Sequence, residues 1–410
     1  MKQTIKYKLN VNLEQERHLH NLCSIATKLY NTDNYIRREQ WEKTGKIPRY
    51  KIQDKVLKDN HWYKLLPSQT AQAVLENLDR NYKSWFKLRK IDKDANPPMF
   101  RKKEMLSVIS FKQCFKLIGD RLRFSLSMKY RKEHKIKLIE VGFAEWKKID
   151  GIAKFCQIVF DKGNWYAHVV YDVQDSVPIL NNKVMAVDMG IINTGVTCDT
   201  DGNTKIYSGK QILAIQHYFN KERAKLTSVL TKQYPKKHHS RALDILKHKQ
   251  SKQIIHALHI HSKSIVSDCV LKGIKTLLCG DVTNIRKNVD KKKQKYLTKE
   301  KIKEGNIKLH SWSFSRFIQQ LEYKCMKVGI RFVRVNEAYT SQMCSCCSII
   351  KKSNRKHRGY YKCKSCGSVM NADVNGAKNI LKKYLRDFLS RSIGNVAMPS
   401  VSRIANVCPC

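Results

Sequence analysis

The chain has 410 residues, with 80 Lys and Arg against 34 Asp and Glu and a formal net charge of +46. That length suits two or three domains, each with its own core, and that charge points to a polyanion, RNA or DNA, that relieves its self-repulsion, the other reading being a heavily solvated basic surface. No apolar leader opens the sequence and no run of about eighteen apolar residues occurs, so an intracellular chain with no membrane span is expected.

"QTIKYKLN" alternates like a strand, and helical spacing then takes over in "EQERHLHNLCSIATKLYNTDNYIRREQW", with Leu22, Ile25, Leu29 and Ile36 near one stripe. "LPSQTAQAVLENLDRNYKSWFKL" reads as a further helix with Ser68 as N-cap and Ala71, Leu75, Leu78, Tyr82 and Trp85 as its apolar face. Tyr82, Trp85 and Phe86 are expected in the core, the other reading being an aromatic surface for bases. After the turn material "DKDANPPM", strands are expected in "LRFSLSMKY", "HKIKLIEV" and "AKFCQIVFDKGNWYAHVVYDV", the last a hairpin around Asp161 to Asn164. A β section thus brackets a helical insert, and "QDSVPILNNK" reads as the linker to a new domain.

That domain opens with an apolar strand, Val184 to Val187, which delivers Asp188 at its end, with Gly190 permitting close backbone approach and the "TDGNT" turn following. Tyr218 to Cys269 reads as helical and very basic; its His256, His259 and His261 are expected to face phosphates or solvent. "IKTLLCGD" is a second strand ending at Asp281, and "GIRFVRVNEAYTSQ" a third ending at Glu337. Between them lies a basic, polyanion-facing loop, then a helix with Trp312, Phe314, Phe317, Ile318, Leu321 and Met326 on its core side.

Four of the fourteen cysteines form two CxxC pairs, Cys344 with Cys347 and Cys363 with Cys366, separated by fifteen residues of which six are Lys or Arg. Four thiolates at this spacing suit one structural Zn²⁺ and leave no open position for catalysis. Cys346 and His357 are left out of the set, and Cys408 and Cys410 are not read as a site. The metal knuckle fixes the chain that leaves it, so that "NADVNGAKNI" starts a helix with Asp373 near its N-terminus and brings Asn371, Asn375 and Gly376 toward the strand ends. Asp373 there also suits the helix dipole. Asp188, Glu337 and Asp373 can then converge; three such carboxylates repel one another unless they hold divalent cations, and two Mg²⁺ in that setting imply phosphodiester hydrolysis.

Asp188 in "AVDMGI", the ribbon "TSQMCSCC…YKCKSCG" and Asp373 in "NADVNGAKNI" closely resemble the TnpB (OrfB) family of IS200/IS605 and IS607 transposons, relatives of type V CRISPR effectors and Fanzors, over residues 180 to 385. The resemblance implies an RNA-guided DNA endonuclease of multidomain α/β and β build. A RuvC-like RNase H fold would occupy 181–340 and 371–395, with an inserted zinc ribbon at 341–370 and a tail at 396–410. A wedge β-barrel-like domain would occupy 1–10 and 106–180 and carry a helical recognition insert at 11–105. It further implies a guide RNA from the transposon end, a double-stranded target DNA next to a short motif, a monomer in the ribonucleoprotein, and a prokaryotic, cytoplasmic, nucleoid-associated setting. One place departs from the family pattern: "CGDVTNI" has Gly280 where the family usually carries the glutamate of Glu-Asp-Leu. Three readings follow: Glu337 supplies that carboxylate, Asp281 does, or the chain binds guide and target as a repressor without cutting. A DNA transposase that joins strands is the more distant alternative.

Overall fold

In the computed structural model, side chains of Lys2–Asn10 alternate between solvent and interior, with Tyr7 and Leu9 buried, and form strand β1. The structure describes residues 1–102, 108–161, 163–235, 239–281, 314–357 and 359–392. The basic loop expected after Asp281, Trp312, and the tail with Cys408 and Cys410 lie outside them. The chain divides into two compact units, Met1–Gln174 and Asp175–Cys410.

In the first unit, Asn12 and Gln15 close a reciprocal capping box that starts α1 (Leu13–Thr44), and Gly45, at φ 64°, ends it in the left-handed conformation a glycine adopts without strain. Leu19, Leu22, Ile25 and Leu29 of α1 are buried. Helices α2 (Tyr50–Leu57), α3 (His61–Leu65) and α4 (Ser68–Arg89) follow. Ser68 is the first residue of α4, not its cap: Pro67 holds the cap position and offers no side-chain acceptor, its fixed φ serving the helix entry instead. Tyr82 and Trp85 are buried and Phe86 packs against them, as core residues.

The strands β2 (Ile109–Phe111), β3 (Phe115–Ile118) and β4 (Arg121–Phe124) come next. The alternation of "LRFSLSMKY" stops at Phe124, where a strand was expected to continue: Ser127 accepts a hydrogen bond from Tyr130 N and caps a short helix, α5 (Met128–His134). With β5 (Ile139–Phe143), β6 (Ile152–Asp161) and β7 (Asn164–Asp172) the unit completes one antiparallel sheet in the order β2-β6-β7-β1-β5-β4-β3. The β6–β7 hairpin turns between Asp161 and Asn164.

The second unit contains β8 (Val184–Asp188), β9 (Asn193–Asp199), β10 (Thr204–Ser208), α6 (Lys210–Gln233), α7 (Arg241–Leu271), β11 (Thr276–Gly280), α8 (Phe314–Lys327) and β12 (Arg331–Val335). Three short strands follow, β13 (Arg355–His357), β14 (Tyr360–Lys362) and β15 (Val369–Met370), and then α9 (Ala372–Ser392). The stretch read as continuously helical is thus two helices. The main sheet runs β10-β9-β8-β11-β12, antiparallel from β10 to β8 and parallel from β8 to β12. Both faces of the central strands β8 and β11 are covered, so those two are buried along almost their whole length. Met185, Val187, Leu277 and Cys279 pack with Leu258 and Ile265 of α7 and Phe317 and Leu321 of α8. Val184, Ala186, Leu278 and Val335 pack with Ala377, Ile380 and Leu381 of α9. Met326, expected in the core, is exposed on the outer side of α8.

Candidate active site

The period of two that sorts the sheet's core also sorts its strand ends. Ala186 faces α9, and so does Asp188 two residues on; Leu278 and Gly280 share that face, as do Val333 and Val335. Glu337, expected as a strand terminus, lies two residues beyond the end of β12, in the same phase as Val335. The register sets Gly280 beside Val335 and one step past the Cys279–Val187 pair, level with Asp188. A Cβ at position 280 would fall inside the Glu337 carboxyl group, so only glycine leaves the space that side chain fills. On α9, a Cβ at Gly376 would likewise collide with the Asp188 carboxylate. Asp281 has the opposite phase, is exposed, and is not among the residues lining the recess described next.

Asp373 comes from the first turn of α9, where Asn371 Oδ1 accepts hydrogen bonds from the backbone N–H of Asp373 (2.9 Å) and Val374 (3.3 Å) and so fixes the helix start. Its Oδ2 accepts from Asn193 Nδ2 at 2.8 Å, and its Oδ1 pairs with the Arg355 guanidinium at 3.3 Å. Asp188, Glu337, Asp373, Asn193, Arg355 and Phe314 all line one recess of about 380 Å³. Burial, then the charges of Glu337 and Asp373, hold the Asp188 carboxyl well above the usual carboxylate range, against the pull of Arg355. Burial, then the charge of Asp281, pushes Glu337 up to about 7. Glu337 Oε1 is buried and has no hydrogen-bond partner among the described residues. Three carboxylates with a buried, unpartnered oxygen form the hard donor set that a divalent cation takes.

The four cysteines Cys344, Cys347, Cys363 and Cys366 place their sulfurs within 4.8 Å of one another. The Cys344–Cys366 and Cys347–Cys363 pairs are 3.7 and 3.6 Å apart, against an edge of about 3.8 Å for a tetrahedron built on Zn–S bonds of about 2.3 Å. The donor set and its spacing fit a tetrahedral metal. Cys346 is outside this cluster, and His357 stacks on Tyr360 with ring centroids 5.2 Å apart.

The ribbon is tied to α9 by two buried amides. Asn375 accepts from Ser345 N at 2.8 Å and donates to Met343 O at 2.8 Å; Asn379 donates to Thr340 O at 2.8 Å and Met343 O at 2.6 Å. Asn375, expected beside the strand ends, therefore points into the ribbon instead, while Gly376 lies under Asp188 as expected. Sequence reasoning missed Asn193, Arg355 and Asn379. Asn379 follows Asn375 at a spacing of four, the only signal any of them carried. The three helix histidines separate: His256 is exposed, His259 lies near Tyr323, and His261 Nδ1 is 2.8 Å from Thr194 Oγ1.

Residues 168–286 match the OrfB_IS605 family model, described as probable transposase, and residues 314–380 match the Cas12f1-like TNB domain. A TnpB-like protein, ORF457 of Acidianus two-tailed virus, is 25% identical over 90% of this chain and 84% of its own length. The putative RNA-guided DNA endonuclease InsQ of Escherichia coli is 24% identical over 92% and 91%. A chain in the cryo-EM structure of a Cas12f1–sgRNA–target DNA complex superposes with a TM-score of 0.64, covering 93% of this chain and 98% of that one at 11% identity, a likeness of fold. Among the described residues no helix is long and apolar enough to cross a membrane.

Proposed function

The chain belongs to the TnpB (OrfB) family, and from that premise we propose that it is a transposon-encoded, RNA-guided, Mg²⁺-dependent DNA endonuclease. The observation that carries this is the meeting of Asp188, Glu337 and Asp373, from three separate segments, in one recess. Two Mg²⁺ held by these carboxylates would polarise the phosphodiester and supply an activated water. The chain's own residues prepare that site. Asn193 fixes the orientation of Asp373, and Arg355, which neutralises Asp373 in the absence of substrate, presents a guanidinium at the same opening to a phosphate of the entering strand. Phe314 closes one wall against water. Of the three readings of the Gly280 departure, Glu337 as the second carboxylate has the most support, because its side chain occupies the space above Gly280.

The strand order supports a RuvC-like RNase H fold for 181–340 and 371–395, with a zinc ribbon at 341–370 whose four thiolates would hold one structural Zn²⁺. We assign 1–10 and 106–180 to a wedge domain and 11–105 to its recognition insert. The partners follow from the same reading: a guide RNA transcribed from the transposon end and a matched duplex DNA, engaged by one protein chain that cuts the strands in turn.

The test is cleavage of a guide-matched duplex by the purified ribonucleoprotein, with and without Mg²⁺. Metal-dependent cutting is expected. Tight, guide-dependent binding with no cutting would make the protein a repressor, and joined strands in place of free ends would make it a transposase.

A further inference from the structure

On α7, Lys252, His256, His259 and Lys263 follow one another at spacings of four, three and four, which keeps them on one face. α8 runs beside them. Lys324 reaches across and donates to His259 O at 2.7 Å and to Ser262 Oγ at 2.6 Å, while the Tyr323 hydroxyl is 3.4 Å from His259 Nδ1 and the Lys327 ammonium lies 5.7 Å from the Tyr323 ring centroid. Among the described residues no acid of α7 or α8 joins this group. Glu322 is held by Arg334 at 3.0 Å and Asp268 by Lys205 at 2.6 Å, and Asp244 is in the first turn of α7.

A run of lysines on a helix is ordinarily a solvated face. Lys252, His256, Lys263 and Lys327 are exposed in that way, but Lys324 is half-buried between the two helices: burial, then the charges of Lys263 and Lys327, push its ammonium down to about 8. Burial, Lys324 and His256 together lower His259 as well. Like charges gathered in a partly desolvated groove cost stability unless a ligand brings the opposite charge. The groove also belongs to the α7/α8 layer, on the sheet face opposite the one that carries α9 and the carboxylates.

We propose that the α7/α8 groove, through Lys252, His256, Lys263, Lys324 and Lys327 with Tyr323, binds the phosphodiester backbone of a nucleic-acid strand at a second site separate from the cleavage recess. The stripe from Lys252 to Lys263 extends about 16 Å along the helix axis, so it tracks a strand and does not merely hold one anion. Rows of cations along a groove with an aromatic ring suit a backbone without reading its sequence. The inference rests on the nucleic-acid-directed reading above and adds where a strand that is not being cut lies. The ligand chemistry is shared by guide RNA and target DNA.

The experiment uses the full chain stripped of nucleic acid, with the paired exposed substitutions Lys263→Ala and Lys327→Ala, and separately Lys324→Met. Binding of a fluorescent single-stranded RNA and of a DNA duplex is followed over a KCl series. In the arm that supplies the ligand, the slope of log K against log salt should fall by roughly 1.4 to 1.8 for the pair, since each lost phosphate contact removes about 0.7 to 0.9. The arm in which it falls identifies the source. Acylation of the parent with an amine-reactive ester, read by mass spectrometry, should show Lys263, Lys324 and Lys327 protected by that probe, a readout that needs no variant to fold. Unchanged slopes in both arms, with these lysines still fully acylated under saturating probe, would overturn the groove and leave the nuclease reading intact. A parent that binds neither probe would overturn both.

Discussion

Two buried clusters of charge in this molecule have opposite logic. In the first unit Arg37, itself fully buried, donates to Asp33 at 3.0 Å and to Asp79 at 3.2 Å, and Gln53 adds a bond to Asp33 at 2.9 Å. In the second unit Asp188, Glu337 and Asp373 share a recess in which Arg355 is the cation among the described lining residues. Burial raises the carboxyl pKa in both places. The difference is the sign of the neighbours: Arg37 pulls Asp33 back down, whereas Glu337 and Asp373 push Asp188 further up. A charge-balanced cluster can serve specificity without a ligand, even with Asp33 Oδ2 and Arg37 Nη2 left without hydrogen-bond partners among the described residues. An uncompensated one is the arrangement that a ligand would complete, which supports the proposal that the second cluster is functional and the first structural.

The largest test of that contrast is catalytic. Asp188→Ala, Asp373→Ala and Glu337→Gln should each lower cleavage on the order of 10³-fold or more, the loss of several kcal/mol of transition-state stabilisation, while guide and target binding persist. Asp281→Asn, outside the recess, should cost far less. Rates on a matched duplex check this, and robust cutting by Glu337→Gln with loss in Asp281→Asn would move the second carboxylate to the end of β11. The paired substitution Cys363→Ser and Cys366→Ser should take bound zinc from about one per chain to none and lower cleavage with it, since the ribbon anchors α9 through Asn375 and Asn379. Metal analysis beside the cleavage assay tells whether the two losses travel together.

Next comes stability, where the two clusters should respond in opposite directions. Arg37→Met leaves Asp33 buried without its cation and should cost about 3 to 5 kcal/mol, with part of that recovered when Asp33→Asn is added. Asp188→Asn, measured in EDTA, should leave stability unchanged or raise it, because it removes one of three repelling charges. Urea unfolding of the four proteins decides it. A loss in Asp188→Asn as large as that in Arg37→Met would mean the carboxylates are a structural network after all.

How much of this was written in the sequence depends on whether the signal is local. Asp188 was legible because a strand end and a nearby glycine announce it, and the cysteines because CxxC spacing is itself the geometry. Glu337 could be named, but its place two residues beyond β12 depends on a turn that periodicity does not register. Gly280 looked like a gap in the family pattern; the Glu337 side chain, from beyond the neighbouring strand β12, occupies the space above it and explains the gap, and no reading of one strand shows that. Arg355 was one of six basic residues between the two cysteine pairs with nothing to distinguish it, and Arg37 sat unremarked in a basic helix until α2 and α4 brought Gln53 and Asp79 to it. The α5 misreading has a local cause: Leu126 and Met128 continue the alternation, but Ser127 caps, and a cap outweighs two residues of pattern.

The smallest expected effect is on pH dependence: Asp33, whose carboxyl is also raised, contributes a slope of the same sign, so the contrast lies in the part that Glu337→Gln or Mg²⁺ removes. Glu337 in the folded protein lies at about 7, above the roughly 4.3 of an unfolded glutamate. Between those values the native state holds a proton that the unfolded chain has lost, so this group's contribution to stability is full below about pH 4 and is lost as pH rises toward 7, by up to about 1.4 kcal/mol per pH unit for each such group. Asp188, raised in the same direction, adds to the slope. In EDTA, then, the parent should lose unfolding free energy from pH 5 to pH 7, and Glu337→Gln should flatten that decline. Saturating Mg²⁺ should flatten it too, since a cation holds the carboxylates ionised. An identical slope in parent and Glu337→Gln would show that Glu337 titrates as an ordinary surface acid, and with that the argument from burial and repulsion to a metal site would lose its strongest residue.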